Sequence, residues 1–143
     1  MATAYKSVEY TANSSPRFVE VGDFEVYAHF ALSAAFVIND TIAMCPVPKG
    51  ARILNIELYV DDLDTNVSPT ILFDIGDSLS AARFASAVTL PQSGGFMRGI
   101  QTKAGFCYQM TQDDVVTIKI NTAPATGAAT GDIIMRVTCC VDN

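Results

Sequence analysis

The stretch that decides the fold is RILNIELYV, residues 52–60, because its side chains fall into two alternating sets. One set is wholly apolar: Leu54, Ile56, Leu58 and Val60. The other set mixes apolar with polar side chains: Ile53, Asn55, Glu57 and Tyr59. A period of two is typical of a β-strand that turns one face to a core and the other away from it. The pattern predicts a strand over residues 52–60 with the wholly apolar set buried.

The same alternation recurs on both sides of this strand. Residues 24–32 alternate in the same way, and a short strand is predicted at residues 41–45. Further strands are predicted at residues 70–75, 96–100, 106–110, 115–121 and 132–141. Residues 79–88 favour either a short helical turn or an irregular crossing. Roughly seven or eight short strands without an amphipathic helix predict an all-β fold, an antiparallel two-sheet sandwich that is jelly-roll-like.

The chain divides into two parts by composition. Residues 1–17 are mostly polar and predict an extended N-terminal arm, and residues 18–143 carry the alternating pattern and predict the β-sandwich domain. A chain of 143 residues suits one domain of ordinary size, so no second domain is expected.

Composition and charge exclude several classes of function. The chain has 9 Lys and Arg against 15 Asp and Glu, a net charge of -6, so nucleic acid is not an expected partner. No apolar stretch approaches the roughly 20 residues that span a bilayer, so no membrane association is expected. The first residues carry no apolar run of the secretory kind, which predicts synthesis in a cytoplasm.

Catalytic chemistry is not visible in the sequence. His29 is the one histidine, and no motif supplies a nucleophile, a base or a phosphate-binding loop. We therefore expect no catalytic residue, no cofactor and no enzyme activity. The four cysteines form no C-x-x-C pair, and we expect them to be reduced and mostly buried: Cys45, Cys107, Cys139 and Cys140.

An acidic turn follows the first strand described above. The spacing Asp62-x-Asp64-x-Asn66 opens like an EF-hand loop, but Val67 stands where that loop needs glycine and Phe73 where it needs glutamate. The sequence therefore predicts a solvated acidic turn and no metal. An irregular calcium site remains an alternative, built from four carboxylates: Asp61, Asp62, Asp64 and Asp77.

The second face of the predicted strands is more apolar than a free sandwich requires. Ile53, Tyr59 and Leu72 lie opposite the inward set, and a sister subunit is the simplest cover for them. The arm is the other candidate for contacts, because an extended segment can add a strand to a neighbour. We expect the assembly interface to include Tyr5, Val8, Tyr10, Ile53, Tyr59 and Leu72.

A run of turn and strand motifs gives a more specific indication. Residues 47–54 (VPKGARIL) lead into the long strand, which ends in the acidic turn of residues 61–64 (DDLD). Residues 69–77 (PTILFDIGD) and 81–84 (AARF) follow. This pattern, over roughly residues 18–142, resembles the small jelly-roll proteins that decorate or cement the heads of tailed bacteriophages.

The resemblance implies a virion structural protein, a capsid decoration or cement subunit that stabilises the phage head. It implies a homotrimer on the capsid exterior, made in the host cytoplasm, that bridges neighbouring copies of the major capsid protein. An alternative from another class is a receptor- or glycan-binding head-fibre or tail module, with a pocket near residues 59–64.

Overall fold

The computed structural model describes residues 2–7 and 22–141, and these form nine β-strands and one 3₁₀ turn at Leu90–Gln92. The strands are β1 (Ala4–Lys6), β2 (Gly22–Leu32), β3 (Thr41–Val47), β4 (Arg52–Val60), β5 (Leu72–Gly76), β6 (Ala85–Val88), β7 (Gly95–Arg98), β8 (Asp114–Thr122) and β9 (Gly131–Val141). Within these two ranges, no helix has the length and apolar character that crossing a membrane requires.

Two sheets face each other. Sheet A has the order β1-β3-β8-β5-β6, and sheet B has the order β2-β9-β4-β7. Every ladder is antiparallel except that of β1 with β3. Leaving β1 aside, eight strands divide into two four-stranded sheets whose neighbours are mostly distant in sequence, which is the winding of a jelly roll. The predicted fold class is confirmed.

The core lies between the sheets and is built from the inward sets. Val26, Ala28, Phe30 and Leu32 of β2 are buried, as the alternation predicted. β8 and β9 also contribute their predicted residues: Val116, Ile118, Ile120, Ile133, Met135, Val137 and Cys139. Burying a side chain of this size stabilises the fold by about 1.5–3 kcal/mol. The four cysteines form no disulfide, and burial raises the pKa of Cys139 to about 12.

A β-bulge in β4 corrects the predicted faces of that strand. Ile53 pairs with Cys139 and Asn55 with Thr138, so Leu54 is one residue too many on β4. Such a bulge reverses the alternation locally. Ile53 is therefore fully buried and Leu54 is 39% exposed, the opposite of the prediction, whereas the faces from Ile56 onward are as predicted.

The beginning of the predicted arm is part of the sandwich. Residues 4–6 form β1 and pair in parallel with β3. The ring of Tyr5 meets Phe30 and Phe36 edge-on, with centroids 5.4 and 5.6 Å apart, and the Ser7 hydroxyl donates to the carbonyl of Met44 at 2.7 Å. Val8, Tyr10 and the boundary predicted at residue 17 lie outside the described residues.

Two other segments bear on the predicted elements: residues 79–88 decide between two alternatives, and residues 106–110 differ from the prediction. Residues 79–84 form turns and bends, and β6 follows them. The segment is therefore irregular and does not form the helical turn. The prediction of a strand at residues 106–110 is wrong, because residues 106 and 107 form a turn and only Gln109 makes a β-bridge, to Arg52. Cys107 has φ 54, a left-handed conformation that interrupts an extended strand.

The motifs at residues 69–77 and 81–84 are explained by a tight turn around a buried ion pair. A Cβ on Gly76 would lie 2.0 Å from the carbonyl oxygen of Ser80, so only glycine fits there. Arg83 Nε donates to Asp77 Oδ2 at 2.6 Å, and the guanidinium lies 3.9 Å from the ring centroid of Tyr108. The pair fixes the connection between β5 and β6, which are neighbours in sheet A.

The bulge predicts unequal costs for truncating two adjacent side chains. Ile53→Ala should lower the free energy of unfolding by about 3 kcal/mol, because it opens a cavity in the core. Leu54→Ala, its matched control, should lower it by less than about 1 kcal/mol because the side chain is partly in water. Urea denaturation of both variants measures the difference, and a larger loss for Leu54→Ala would contradict the bulge.

Replacing two arginines by alanine should likewise cost different amounts of stability. Arg83→Ala leaves the buried Asp77 carboxylate without its positively charged partner and should cost about 3–5 kcal/mol of stability. Arg98 pairs with Glu57 on an exposed surface, so Arg98→Ala should cost less than about 1 kcal/mol. Equal denaturation midpoints for the two variants would refute the structural role of the Asp77–Arg83 pair.

Candidate assembly surface

The outer face of sheet B carries an apolar row that crosses all four strands. His29 of β2 pairs with Ile134 of β9, Ile134 pairs with Tyr59 of β4, and Tyr59 pairs with Phe96 of β7. We call these four residues the apolar row, because aliphatic and aromatic side chains make up all of it except His29 at one end. Because cross-strand partners on one face contact one another, the row forms a continuous strip.

A second row lies two residues along each strand. Tyr27, Arg136, Glu57 and Arg98 pair in the same order across the sheet, and we call them the charged row. Glu57 sits between the two arginines: Arg136 Nε donates to Oε1 at 3.0 Å and Arg98 Nε donates to Oε2 at 3.1 Å. The hydrogen bond from Arg136 is the main reason that the pKa of Glu57 is lowered.

A shallow groove of about 410 Å³ runs between the two rows. Tyr59 and Phe96 form its aromatic wall, with ring centroids 5.0 Å apart. Phe96 is 83% exposed although it is a large apolar side chain, and Tyr27 is 54% exposed. A contiguous exposed apolar patch with a polar rim is typical of a contact surface.

Hydrogen bonds beside the apolar row hold Tyr59 in place. Its hydroxyl donates to Asp61 Oδ1 at 2.5 Å, and Asp61 Oδ2 accepts the backbone N–H of Asp132 at 2.8 Å. Asp132 also contacts His29 Nε2 at 2.8 Å. The hydrogen bond between Tyr59 and Asp61 raises the pKa of the phenol and lowers that of the carboxyl. Tyr59 is thus a preoriented ring on the surface.

The residues predicted for assembly do not form one surface. Tyr59 belongs to the apolar row. Ile53 is buried in the core, so the prediction that it lies in an assembly interface is corrected. Leu72 is half-buried on sheet A, on the other side of the sandwich. Tyr5 packs at the edge of sheet A.

The prominent residue that the sequence analysis missed is Phe96. The segment around it is rich in glycine, and the brief strand predicted at residues 96–100 did not say which face Phe96 would take. The observed strand, β7, is the edge of sheet B, so its outward side chain has a neighbour on one side alone. The available signal was a phenylalanine two residues before Arg98 in a segment rich in glycine.

Asp64, at the centre of the acidic turn, is buried and holds neighbouring loops together. The prediction of a solvated turn is therefore wrong for this residue. This side chain is buried, and its two carboxylate oxygens accept backbone N–H bonds from Thr70, Ile71, Ala125 and Thr126 at 2.7–3.2 Å. Burial alone would raise the pKa of Asp64, but these bonds outweigh it and hold the pKa well below its usual range.

The carboxylates of the calcium alternative are not gathered at one point. Asp64 is occupied by the backbone of two loops, and Asp77 is held by Arg83. In residues 2–7 and 22–141 no group of three or more His, Cys, Asp or Glu side chains is arranged to hold a metal ion. The side chain of Asp64 therefore joins the loop that follows β4 to the loop that precedes β9.

The role of Asp64 predicts a pH-dependent loss of stability. Asp64→Asn should lower the free energy of unfolding at pH 7 by about 2 kcal/mol, because an amide cannot replace the carboxylate acceptor. The pKa of Asp64 is lower in the folded chain, so its contribution is complete above about pH 5 and declines as the pH falls. Urea denaturation should show that the difference in stability between the two proteins begins to shrink below about pH 4 and is smaller at about pH 3 than at pH 7.

Asp62→Asn is the matched control in the same turn. Asp62 is exposed and accepts one backbone N–H, that of Asp64, at 3.0 Å, so its substitution should cost less than about 1 kcal/mol. An equal loss in both variants, or a loss for Asp64→Asn that does not change with pH, would contradict the account of this turn.

Comparison with known proteins places this geometry in context. No protein-family model and no curated protein matches the chain. A chain in the "Cyanophage Pam1 capsid asymmetric unit" is 29% identical, with a TM-score of 0.74, and the match covers 90% of this chain and 96% of that one. A chain in the "Capsid of Ralstonia phage GP4" is 25% identical, with a TM-score of 0.81, and the match covers 99% of both chains.

A third structure extends the likeness at the level of the fold. A chain in the "Acidic stable capsid structure of Helicobacter pylori bacteriophage KHP30" is 16% identical, with a TM-score of 0.56. The match covers 85% of this chain and 95% of that one, so all three matched chains are small proteins of similar extent. The likeness expected from the sequence motifs is confirmed: this chain is a small jelly-roll protein that is similar, over nearly its whole length, to chains of bacteriophage capsids.

Proposed function

We propose that this chain is a virion structural protein, a decoration or cement subunit on the exterior of a phage head. The observation that carries the proposal is the match to a chain of the Ralstonia phage GP4 capsid over 99% of both chains, with a TM-score of 0.81. Because the match leaves almost nothing of either chain outside it, the likeness is of whole subunits rather than of one shared domain.

The architecture suits a subunit that links other proteins. The two sheets turn their outer faces in opposite directions, so one sandwich can contact two bodies at once. The outer face of sheet A presents side chains that are mostly small and polar, among them Thr41, Ala43, Thr117 and Lys119, with Leu72 at the end of β5. Such a face fits closely against another protein without a deep pocket, and we assign it to the major capsid protein.

The stabilising effect of such a subunit follows from mass action. A protein that binds the assembled head and not its separated subunits stabilises assembly by about 2.7 kcal/mol per site when its free concentration is 100 times Kd. A subunit that contacts two neighbouring capsid proteins also gains from effective concentration. The homotrimer that the resemblance implies belongs to this proposal, with an expected mass of three times 15.3 kDa.

The glycan- or receptor-binding module stays the alternative. It would use the groove beside Tyr59 and Phe96, where an aromatic wall meets the side chains of Arg98 and Arg136. The matched chains at 29% and 25% identity come from phage capsids, which favours the head. A glycan array probed with and without calcium separates the two functions, because a capsid subunit predicts no signal in either condition.

Binding to phage heads tests the proposed function. Heads from a phage in which the gene for this chain is deleted are mixed with the purified protein and sedimented. The protein should sediment with the heads, saturate at a fixed ratio to the major capsid protein, and raise the temperature at which the heads release DNA. Purified tails and dissociated major capsid protein are the controls and should not retain it. Binding to tails, or no binding to heads, would contradict the proposal.

A further inference from the structure

β1 lies in a groove at the edge of sheet A, and its contacts are those of a bound segment. The ring of Tyr5 packs between Phe30 and Phe36, and the backbone of β1 pairs in parallel with β3. We call this groove, formed by the edge of β3 together with Phe30, Phe36 and Asp40, the β1 socket. We infer that the β1 socket is a strand-acceptor site and that it binds residues 2–7 supplied by a second copy of this chain.

Polar anchors hold both ends of the segment in the β1 socket. At one end, Oδ1 of the buried Asp40 accepts the backbone N–H of Thr3 at 2.6 Å. At the other end, the backbone N–H and the hydroxyl of Ser7 donate to the carbonyl oxygens of Ala43 and Met44, at 2.8 and 2.7 Å. The socket therefore recognises an extended segment that has an aromatic ring in its middle and hydrogen-bond donors at its two ends.

The β1 socket is built by parts of the chain other than β1. Phe36 stacks on Phe30, with ring centroids 6.2 Å apart, and meets Phe73 of the core edge-on at 6.5 Å. Oδ2 of Asp40 accepts the backbone N–H of Val37 at 2.9 Å, which orients the carboxylate. The aromatic faces and Oδ1 are thus in place for an incoming segment, so little conformational freedom is lost when it binds.

The contacts in the β1 socket do not depend on which chain supplies the segment. Thr3 and Ser7 form hydrogen bonds with residues that are 37 positions away in sequence. The ladder with β3 and the ring contacts of Tyr5 are likewise made with elements that come after β1 in the chain. Residues 2–7 of another copy therefore form the same hydrogen bonds and ring contacts.

The connection from β1 to β2 is longer than the distance that it covers within one chain. Cys45 Sγ lies 3.8 Å from the carbonyl oxygen of Val26, so β1 ends near the level of Val26 on the facing sheet. From that level to Gly22, the first residue of β2, is about 13 Å, and the sheets are about 10 Å apart, which gives a direct distance of about 20 Å. Residues 8–21 lie outside the described residues, and a chain of this length spans up to about 50 Å.

The excess length is sufficient to bring β1 to an adjacent copy. A domain of this length is about 35–40 Å across, so a reach of about 50 Å includes the β1 socket of a copy beside it. A long connection also lowers the effective concentration of β1 at the socket of its own chain. Copies held side by side offer further sockets, and exchange of an identical segment is a low-cost route to association.

Exchange makes the contacts of β1 into contacts between copies. In a closed ring each copy gives one segment and receives one, so every β1 socket is filled. A copy leaves such a ring only when its own segment and that of its neighbour both come out of their sockets. This inference goes beyond the proposed function, because it concerns the link between copies and is tested on the purified protein without heads.

Disulfide trapping between two variants tests the inference. Ala4 pairs with Thr41, and the two strands are separated by about 4.8 Å, a spacing that a disulfide bridges. Ala4→Cys and Thr41→Cys are made in separate chains with different tags, co-expressed in equal amounts and oxidised with oxidised glutathione. Random assembly places a Thr41→Cys socket around half of the Ala4→Cys segments, so about half of the chains should form covalent dimers that carry both tags.

The matched control pairs Ala4→Cys with Thr117→Cys. Thr117 lies on the same face of sheet A but one strand beyond β3, where it pairs with Ala43, so it is further from Ala4 than the roughly 7 Å that a disulfide bridges. This mixture, and each variant expressed alone, should give no more covalent dimer than the wild-type chain, in which Cys107 and Cys140 are partly exposed.

Two further measurements separate exchange from closure within one chain. A chain that carries both Ala4→Cys and Thr41→Cys should lose both new thiols on oxidation and run as covalent multimers on a non-reducing gel. Tyr5→Ser removes the ring from the β1 socket and should raise the dissociation constant of the assembly at least tenfold, measured by light scattering over a dilution series. Ala4→Ser, its matched control, changes an exposed side chain and should leave the dissociation constant unchanged.

Several results would overturn the inference. They are a wild-type protein that has the mass of one chain, a mixed sample with no more covalent dimer than its control, or a doubly substituted chain that is oxidised but runs as a monomer. A doubly substituted chain that keeps its thiols would contradict the pairing of β1 with β3 and overturn the inference as well. Binding to heads is scored separately, so a failure of this inference is distinguishable from a failure of the proposed function.

Discussion

β9 is the strand on which the rest of the structure depends, because it is paired along its length with β2 on one side and β4 on the other. Its inward residues Ile133, Met135 and Val137 stand in the middle of the core. The same register sets the outer face, since Ile134 and Arg136 align the apolar row and the charged row with their neighbours. One set of backbone hydrogen bonds thus decides both the packing of the core and the arrangement of side chains on the outer face of sheet B.

The ends of the sandwich are fixed by buried polar groups. Asp64 accepts hydrogen bonds from the backbone N–H groups of two loops, and the Asp77–Arg83 pair fixes the connection between β5 and β6. Each of these groups is costly to bury alone and is stable because its partners are in place. The acidic turn and the motifs at residues 69–77 and 81–84 are therefore conditions for the fold, and they leave the faces of the two sheets as the surfaces with room for assembly.

The sequence was sufficient for the fold class because the period of two is repeated on strand after strand. It was not sufficient for Ile53 and Leu54, since a bulge depends on the register with β9 and leaves no mark in the alternation of one strand. For the surface, alternation placed Tyr59 correctly on the outer face. The exposure of Phe96 was not predicted, because its strand is short and lies at an edge of the sheet. The burial of Asp64 was not predicted either, because its partners are backbone groups distant in sequence.

Under the proposed function, this jelly roll is a structural subunit that is present in many copies at fixed positions on a phage head. Quantitative mass spectrometry of purified virions, from the phage that encodes this chain, is the most direct test of that account. The account predicts this chain in the particle at a fixed ratio to the major capsid protein, and retained in heads separated from tails. Its absence from the particle, or its presence in a few copies that leave with the tails, would contradict the account.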